Sequence, residues 1–257
     1  MPYENELVKN QYANDRNLLT RINLHEKYSV NKQGFGNWIF DQYQFKPGMR
    51  ILELGCGNGG IWPERIKSIP ERCELILSDV SSGMLEAANA RVGNHDGLTY
   101  HLIDIMDIPY EDHCFDVVIA NMMLYHVPDI DRALAEVRRV LKQGGTLYCA
   151  TYGENGLVRW LNDVFCDYHL DIQLNTRFTL QNGKGMLEKR FEYVRKLCYS
   201  DAFEILRTED LVSYLFSMTS TGKLKDVPES EIFEMLNRKK TQGVIHIPKE
   251  YGMFAAS

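Results

Sequence analysis

Three acidic side chains and a run of glycines hold most of the chemistry legible in this chain. Residues 50–60, Arg-Ile-Leu-Glu-Leu-Gly-Cys-Gly-Asn-Gly-Gly, pass from a short apolar run carrying one acid, Glu53, into Gly55, Gly57, Gly59 and Gly60. Glycine has no Cβ, so such a loop turns tightly and brings backbone N–H groups against a polar or anionic ligand. Gly55 to Gly60 satisfies the pattern GxGxxG, and Asp79 follows Gly60 by nineteen residues. On spacing alone that is a dinucleotide fingerprint with an acid for a ribose. Two other acids pull toward a different nucleotide-type ligand. Glu53 lies inside the apolar run, where a carboxylate is a poor neighbour for a pyrophosphate and a good one for an ammonium group. Asp104 is followed by apolar Ile105, a pairing that can accept from an exocyclic amine while packing on a purine face. The one Tyr-x-x-x-Lys, Tyr28 to Lys32, lies upstream of the glycine loop and completes no dehydrogenase constellation.

Those residues need strands and helices to hold them. Apolar runs at 50–54, 74–79, 98–103, 115–121 and 146–151 predict five strands. Between them, helices are expected near 60–68 (with Pro63 in the first turn), from an N-cap at Ser81 to about residue 92, and over 129–142. Strands alternating with helices argue for a doubly wound, mostly parallel sheet. Upstream, residues 4–28 and 37–43 read as helices. Downstream of Thr151 the pattern changes to helices at 154–168, 209–217 and 228–240, an irregular polar stretch at 170–190, and strand-like runs at 192–199 and 244–256. The expected organisation is one domain over 1–257, with a helical cap (1–46), a ligand-binding core (47–151) and a substrate-facing remainder (152–257).

Bulk properties narrow the class. A net charge of −6 over 257 residues argues against a broad nucleic-acid footprint. No apolar run approaches the ~20 residues of a membrane span, and residues 1–7 show no signal-peptide core. Six cysteines stand singly, without a CxxC pair, which is the pattern of reduced thiols rather than of a disulfide framework or zinc site. A cytoplasmic enzyme with no metal is the expectation. Oligomeric state is not legible.

Taken together, Glu53-x-Gly55-x-Gly57-x-Gly59, Asp79, Asp104-Ile105, Phe115-Asp116 opening a run that ends at Asn121, and Leu141-Lys-Gln-Gly-Gly145 resemble a class I S-adenosylmethionine-dependent methyltransferase, nearest to the small-molecule branch that includes quinone-biosynthesis enzymes. The resemblance covers roughly residues 28–151. It implies a Rossmann-like seven-stranded sheet with helices on both faces, an antiparallel C-terminal hairpin, S-adenosylmethionine as cofactor and a small-molecule acceptor at O, N, C or S. It also implies roles. Gly55, Gly57 and Gly59 would pass under the methionine moiety, with Glu53 near its ammonium. Asp79 would accept the ribose hydroxyls, Val80 and Met84 would pack on the adenine, and Asp104 would take the adenine amine, aided by the Ile105 backbone. Asn121 would face the methionine part, and Tyr28 would close over the cofactor. His126 and Tyr125, at the expected mouth for the methyl, are candidates for a general base and a substrate contact; His126 could equally be a support for its loop. A non-catalytic cofactor-binding protein and, more remotely, an NAD-dependent oxidoreductase are the alternative readings.

Overall fold

The computed structural model describes residues 15–168, 172–218, 224 and 226–257. Its strands are β1 (Arg50–Leu54), β2 (Glu74–Asp79), β3 (Leu98–Leu102), β4 (Phe115–Ile119), β5 (Leu141–Tyr152), β6 (Val194–Ile205) and β7 (Ile245–Ala256). Its helices are α1 (Asp15–Tyr28), α2 (Phe35–Phe40), α3 (Ser82–Val92), α4 (Ile130–Val140), α5 (Leu157–Val164), α6 (Gly183–Leu187), α7 (Thr208–Ser217) and α8 (Glu229–Asn237). The strands form one sheet in the order β3-β2-β1-β4-β5-β7-β6. β1 to β5 pair in parallel, and β7 runs antiparallel to β5 and forms the terminal hairpin with β6. The mostly parallel, doubly wound arrangement is the one expected from the alternation of elements, and the seven strands with an antiparallel C-terminal hairpin are what the resemblance implied.

The sheet is buried on both faces, which explains why its central strands read as continuous apolar runs. Leu52, Leu54 and Val118 pack on one side with Ala133, Leu134, Val137 and Val140, the apolar stripe of α4. Ile51, Leu75, Leu77, Val117 and Ile119 pack on the other with Val92 of α3 and Trp62. Both helices start where the sequence says. Asp129 accepts from Arg132 N at 3.0 Å and Ser81 from Met84 N at 3.4 Å, each satisfying one orphan donor of a first turn.

By its contacts the chain divides into two compact units. Residues 35–153, 175–199 and 251–257 form one, which holds the two cores just described. The other comprises 1–34, 154–174 and 200–250, and its described residues have a core of their own, including Leu24, Phe165, Phe203, Leu215, Ile232 and Ile247. In that second unit Lys249 and Asp201 form a buried ion pair, with side chains 4% and 1% exposed. Lys249 Nζ also donates to Ser29 Oγ at 2.7 Å, and Asp201 Oδ1 accepts from Asn31 N at 3.0 Å.

Local expectations fail at four places, each for a physical reason. The helix expected near 60–68 is a chain of turns ending in a short 3-10 segment, Ile66–Ser68. Gly59, Gly60 and Pro63 disfavour regular helix there, and the Trp62 indole is drawn inward to Glu53. β5 begins at Leu141 rather than 146, because Gly144-Gly145 sits inside the strand at a register shift between Phe115 and Val117 of β4. Residues 170–190 are less irregular than their polarity suggests: they contain α6, and Phe178, Leu180 and Leu187 are buried beside Phe254. The second helix covers Phe35–Phe40 rather than 37–43. Residues 4–14 of the first expected helix lie outside the described residues.

Candidate active site

Parallel strands end together, and here four of them end at residues that a ligand on this edge would meet. β1 leads through Leu54 into the glycine loop, β2 stops at Asp79, β3 at Leu102, and β4 runs out to Asn121 two residues beyond its last strand position. In an open α/β sheet this carboxyl edge is where ligands bind.

The glycine loop is shaped by its neighbours. Gly55, Gly57 and Gly59 all have positive φ. A Cβ on Gly55 would stand 2.9 Å from Met123 Cγ, so this glycine is what allows the segment after β4 to lie against the loop. A Cβ on Gly57 would meet nothing within 4 Å, although φ there is +56°. Gly57 is therefore set by backbone conformation alone, and it leaves an open face above it. Its N–H donates to Asp79 Oδ2 at 3.0 Å, while Asp79 Oδ1 accepts from Ser81 N at 3.0 Å. Asp79 is thus buried and fixed from both sides, and each of its oxygens retains a lone pair.

Glu53 lies deeper. It is 3% exposed, and its Oε2 accepts from the Trp62 indole N–H at 2.5 Å. Burial, reinforced by the nearby Asp79 and opposed by the Trp62 bond, raises its pKa from 4.5 to about 7. Cys56, between the same two acids, has its thiol pushed far up by burial and then by their charges. It is a packing residue of the loop, not a nucleophile.

Asn121 is pinned at both ends: its Oδ1 accepts from Ala150 N at 3.1 Å and its Nδ2 donates to the Tyr43 hydroxyl at 2.6 Å. The next residue, Met122, has φ +53°, an uncommon conformation for a side chain of this size. It redirects the chain into the short 3-10 turn Leu124–His126. There the Tyr125 ring lies 4.5 Å from His126 and 4.6 Å from Tyr152, centroid to centroid. Asn175 ties this turn to β5, donating from Nδ2 to the Tyr125 carbonyl (2.6 Å) and accepting at its own carbonyl from the Tyr152 hydroxyl (2.8 Å). Partial desolvation lowers the His126 pKa, which favours the neutral imidazole.

At the β2–β3 edge, Asp104 Oδ1 accepts from Met106 N at 2.8 Å. The Ile105 side chain is buried in the core, so it is the backbone of Ile105 that stays at the edge. The apolar side chains standing free there are Val80, 53% exposed, and Leu102, 61% exposed. Leu102 pairs directly with Asp79 across the strands. Met84 is half-buried in the first turn of α3.

Residues 52–149, the stretch that builds this edge, match the methyltransferase domain family. Over this core the chain is similar to the class I S-adenosylmethionine-dependent methyltransferases. The chain is 36% identical over 152 residues to the demethylmenaquinone methyltransferase of Symbiobacterium thermophilum, covering 55% of this chain and 59% of that protein. It is 29% identical over 192 residues to sterol 24-C-methyltransferase ERG6B of Gibberella zeae, covering 74% of this chain and 46% of that protein. The chain thus spans about half the length of these curated relatives. Among solved structures, phosphoethanolamine N-methyltransferase 2 of Haemonchus contortus in complex with S-adenosyl-L-methionine has the same fold, with TM-score 0.58 and 18% identity over 97% of this chain and 58% of that one.

Within this core, the structure brings Glu53, Gly55, Gly57, Gly59, Asp79, Val80, Asp104 and Asn121 to one edge of the sheet, with Tyr125 and His126 on the turn that follows. Tyr28 belongs to the other unit, at the end of α1, where its ring is buried and its hydroxyl donates to Asp210 Oδ2 at 2.6 Å. Sequence reasoning missed Tyr43, Trp62, Leu102 and Asn175. Leu102 carried a signal: it is an exposed apolar residue at a strand end, level with Asp79. The other three act through contacts that no local pattern announces.

Proposed function

We propose that the protein transfers a methyl group from S-adenosylmethionine to a small-molecule acceptor. The observation that carries the reading is the acid set around the open Gly57 face: buried Glu53, and Asp79 held by two backbone N–H groups with lone pairs remaining. That set of acceptors fits the cofactor, which presents an ammonium group, a vicinal diol and an amino-purine. In this reading Glu53 takes the ammonium, Asp79 the ribose hydroxyls, Asp104 the adenine amine, and Val80, Met84 and Leu102 the adenine faces. Gly55, Gly57 and Gly59 pass beneath the methionine end, and the backbone at Ile105 and Asn121 completes the edge.

When bound, the cofactor supplies an electrophilic methyl on a sulfonium whose charge is lost on in-line displacement, so no Lewis acid is required of the protein. What the chain contributes is positioning, worth up to ~7–11 kcal/mol in well-oriented systems, and exclusion of water. Tyr125 and Tyr152 provide an aromatic wall for the acceptor, braced by Asn175. His126, whose neutral form is favoured by desolvation, can accept a proton at a ring nitrogen from a hydroxyl or amine nucleophile. The acceptor is a small molecule nucleophilic at O, N, C or S. Six unpaired cysteines fit a reducing compartment, and with it the cytosol.

Calorimetric titration with S-adenosylmethionine, with NAD as the control, tests the cofactor. Binding of the former alone is expected. Binding of NAD instead would overturn the reading and every role that follows from it. Turnover against a panel of acceptors then separates a catalyst from a protein that only binds the cofactor.

A further inference from the structure

The amino-acid end of the cofactor is a zwitterion, and recognising it takes an acceptor for the ammonium and a donor for the carboxylate. Glu53 supplies the first. Its nearest donor, the Trp62 indole N–H, is already engaged on Glu53 itself. Asn121 has its carbonyl on Ala150 N and commits one of its two Nδ2 hydrogens to Tyr43. The Tyr43 hydroxyl has its one hydrogen still to give. Among the described residues it accepts from Asn121 and donates to nothing, and it lies close enough to Glu53 for that carboxylate to push its pKa up, adding to the larger effect of burial. Its ring is clamped by Phe45 at 5.0 Å and Tyr148 at 5.2 Å, so the hydroxyl has little freedom to turn elsewhere. Arg65, the nearby cation, is turned to other partners: Nη1 donates to the Ile61 carbonyl at 2.7 Å and the guanidinium lies 5.8 Å from the Phe40 ring.

We propose that Tyr43 is a cofactor-contacting residue whose O–H donates to the α-carboxylate of the amino-acid end, beside Glu53 at the ammonium. The inference rests on the cofactor reading above. Burial keeps the phenol protonated, so it acts as a neutral donor over the working pH range. Its bond to Asn121 makes the two side chains one unit: the amide fixes the hydroxyl, and the hydroxyl holds the amide against Ala150.

The test compares two ligands on Tyr43→Phe, which removes one oxygen and keeps the ring packing. S-adenosylhomocysteine carries the amino-acid end, whereas 5′-methylthioadenosine lacks it. Affinity of the variant for S-adenosylhomocysteine should fall about 10- to 150-fold, the range for one hydrogen bond to a charged group, with methylthioadenosine affinity unchanged. Equal losses for both ligands would make Tyr43 a structural residue, and no loss for either would remove it from the site; each result overturns the proposal. If the wild-type protein binds neither ligand, the cofactor reading itself fails, an outcome distinguishable from the other two. Tyr43→His, which restores a ring N–H donor, provides the rescue: partial recovery of S-adenosylhomocysteine preference is expected, and a preference as low as that of the Phe variant would count against donation.

Discussion

If Glu53 faces the cofactor ammonium, cofactor binding must be linked to a proton. In the unliganded protein the Glu53 pKa is raised from 4.5 to about 7, so at pH 7 the carboxyl is about half protonated. An ammonium selects the carboxylate. Binding below pH 7 therefore requires loss of a proton, and the apparent affinity weakens as the protonated fraction grows. Between pH 7 and pH 5.5 the ionised fraction drops from about a half to ~3%, which predicts a ~15-fold rise in Kd, or ~1.6 kcal/mol. The ligand's own amino group stays charged over that window. Calorimetry with S-adenosylhomocysteine in buffers of different ionisation enthalpy reads both the affinity and the proton: release should approach one per ligand at pH 5.5 and about half at pH 7. Methylthioadenosine, which has no ammonium, should show neither effect. A Kd flat from pH 5.5 to 7 with no buffer-dependent heat would refute the placement of the ammonium at Glu53.

The same residue makes a prediction for stability. A carboxyl whose folded pKa exceeds its unfolded value contributes stability that is fully present below about 4.5 and lost as pH rises through about 7; the full difference is of order 3 kcal/mol. Glu53→Gln should accordingly raise the melting temperature of the unliganded protein at pH 8, have little effect at pH 4, and weaken cofactor binding; a lower melting temperature at pH 8 would contradict the burial argument. Asp79→Ala should weaken cofactor binding by about 1.5–3 kcal/mol, measured by the same titration, and unaltered affinity would place the ribose elsewhere. Lys249→Met leaves the Asp201 carboxylate buried without its cation and should cost about 3–5 kcal/mol in urea unfolding, whereas a loss below ~1 kcal/mol would mean that the pair behaves like a surface bridge.

The legible part of the fold was the part in which local sequence and tertiary role agree. Glu53 and Asp79 could be placed because each interrupts or ends an apolar run that must be a buried strand, Asp104 because it follows the strand at the sheet's margin, and a parallel sheet puts such ends on one edge. Ser81 and Asp129 announced their helices by cap chemistry alone. Where packing overrides local pattern, the reading failed. Ile61, Trp62, Arg65 and Ile66 have helical spacing, yet Trp62 turns inward to satisfy Glu53 and the backbone follows in turns. Phe178, Leu180 and Leu187 are scattered among polar residues with no fixed period, and only the buried Phe254 of a strand far along the chain shows what they cover. Tyr43 and Asn121 are 78 positions apart. Nothing in the sequence around Tyr43 distinguishes it from the aromatics packed beside it, so its hydroxyl became visible only once Asn121 was seen to reach it.

The state of Glu53 also explains why an acid stands at this position. A glutamine there could accept from Trp62 Nε1 just as well and would face no repulsion from Asp79, so for the unliganded protein the carboxylate is the less stable choice. Burial beside a second acid makes sense if the charge is compensated from outside the chain. An ammonium near Glu53, with the ribose diol hydrogen-bonded to Asp79, supplies that compensation and would restore the lower pKa that burial removes. The cost of burying that acid is then the measure of the site's selectivity. A neutral or anionic nucleotide gains nothing from ionising Glu53, whereas a cationic one recovers the desolvation energy already stored in the fold, and this separates the two cofactor classes that the glycine pattern alone leaves together.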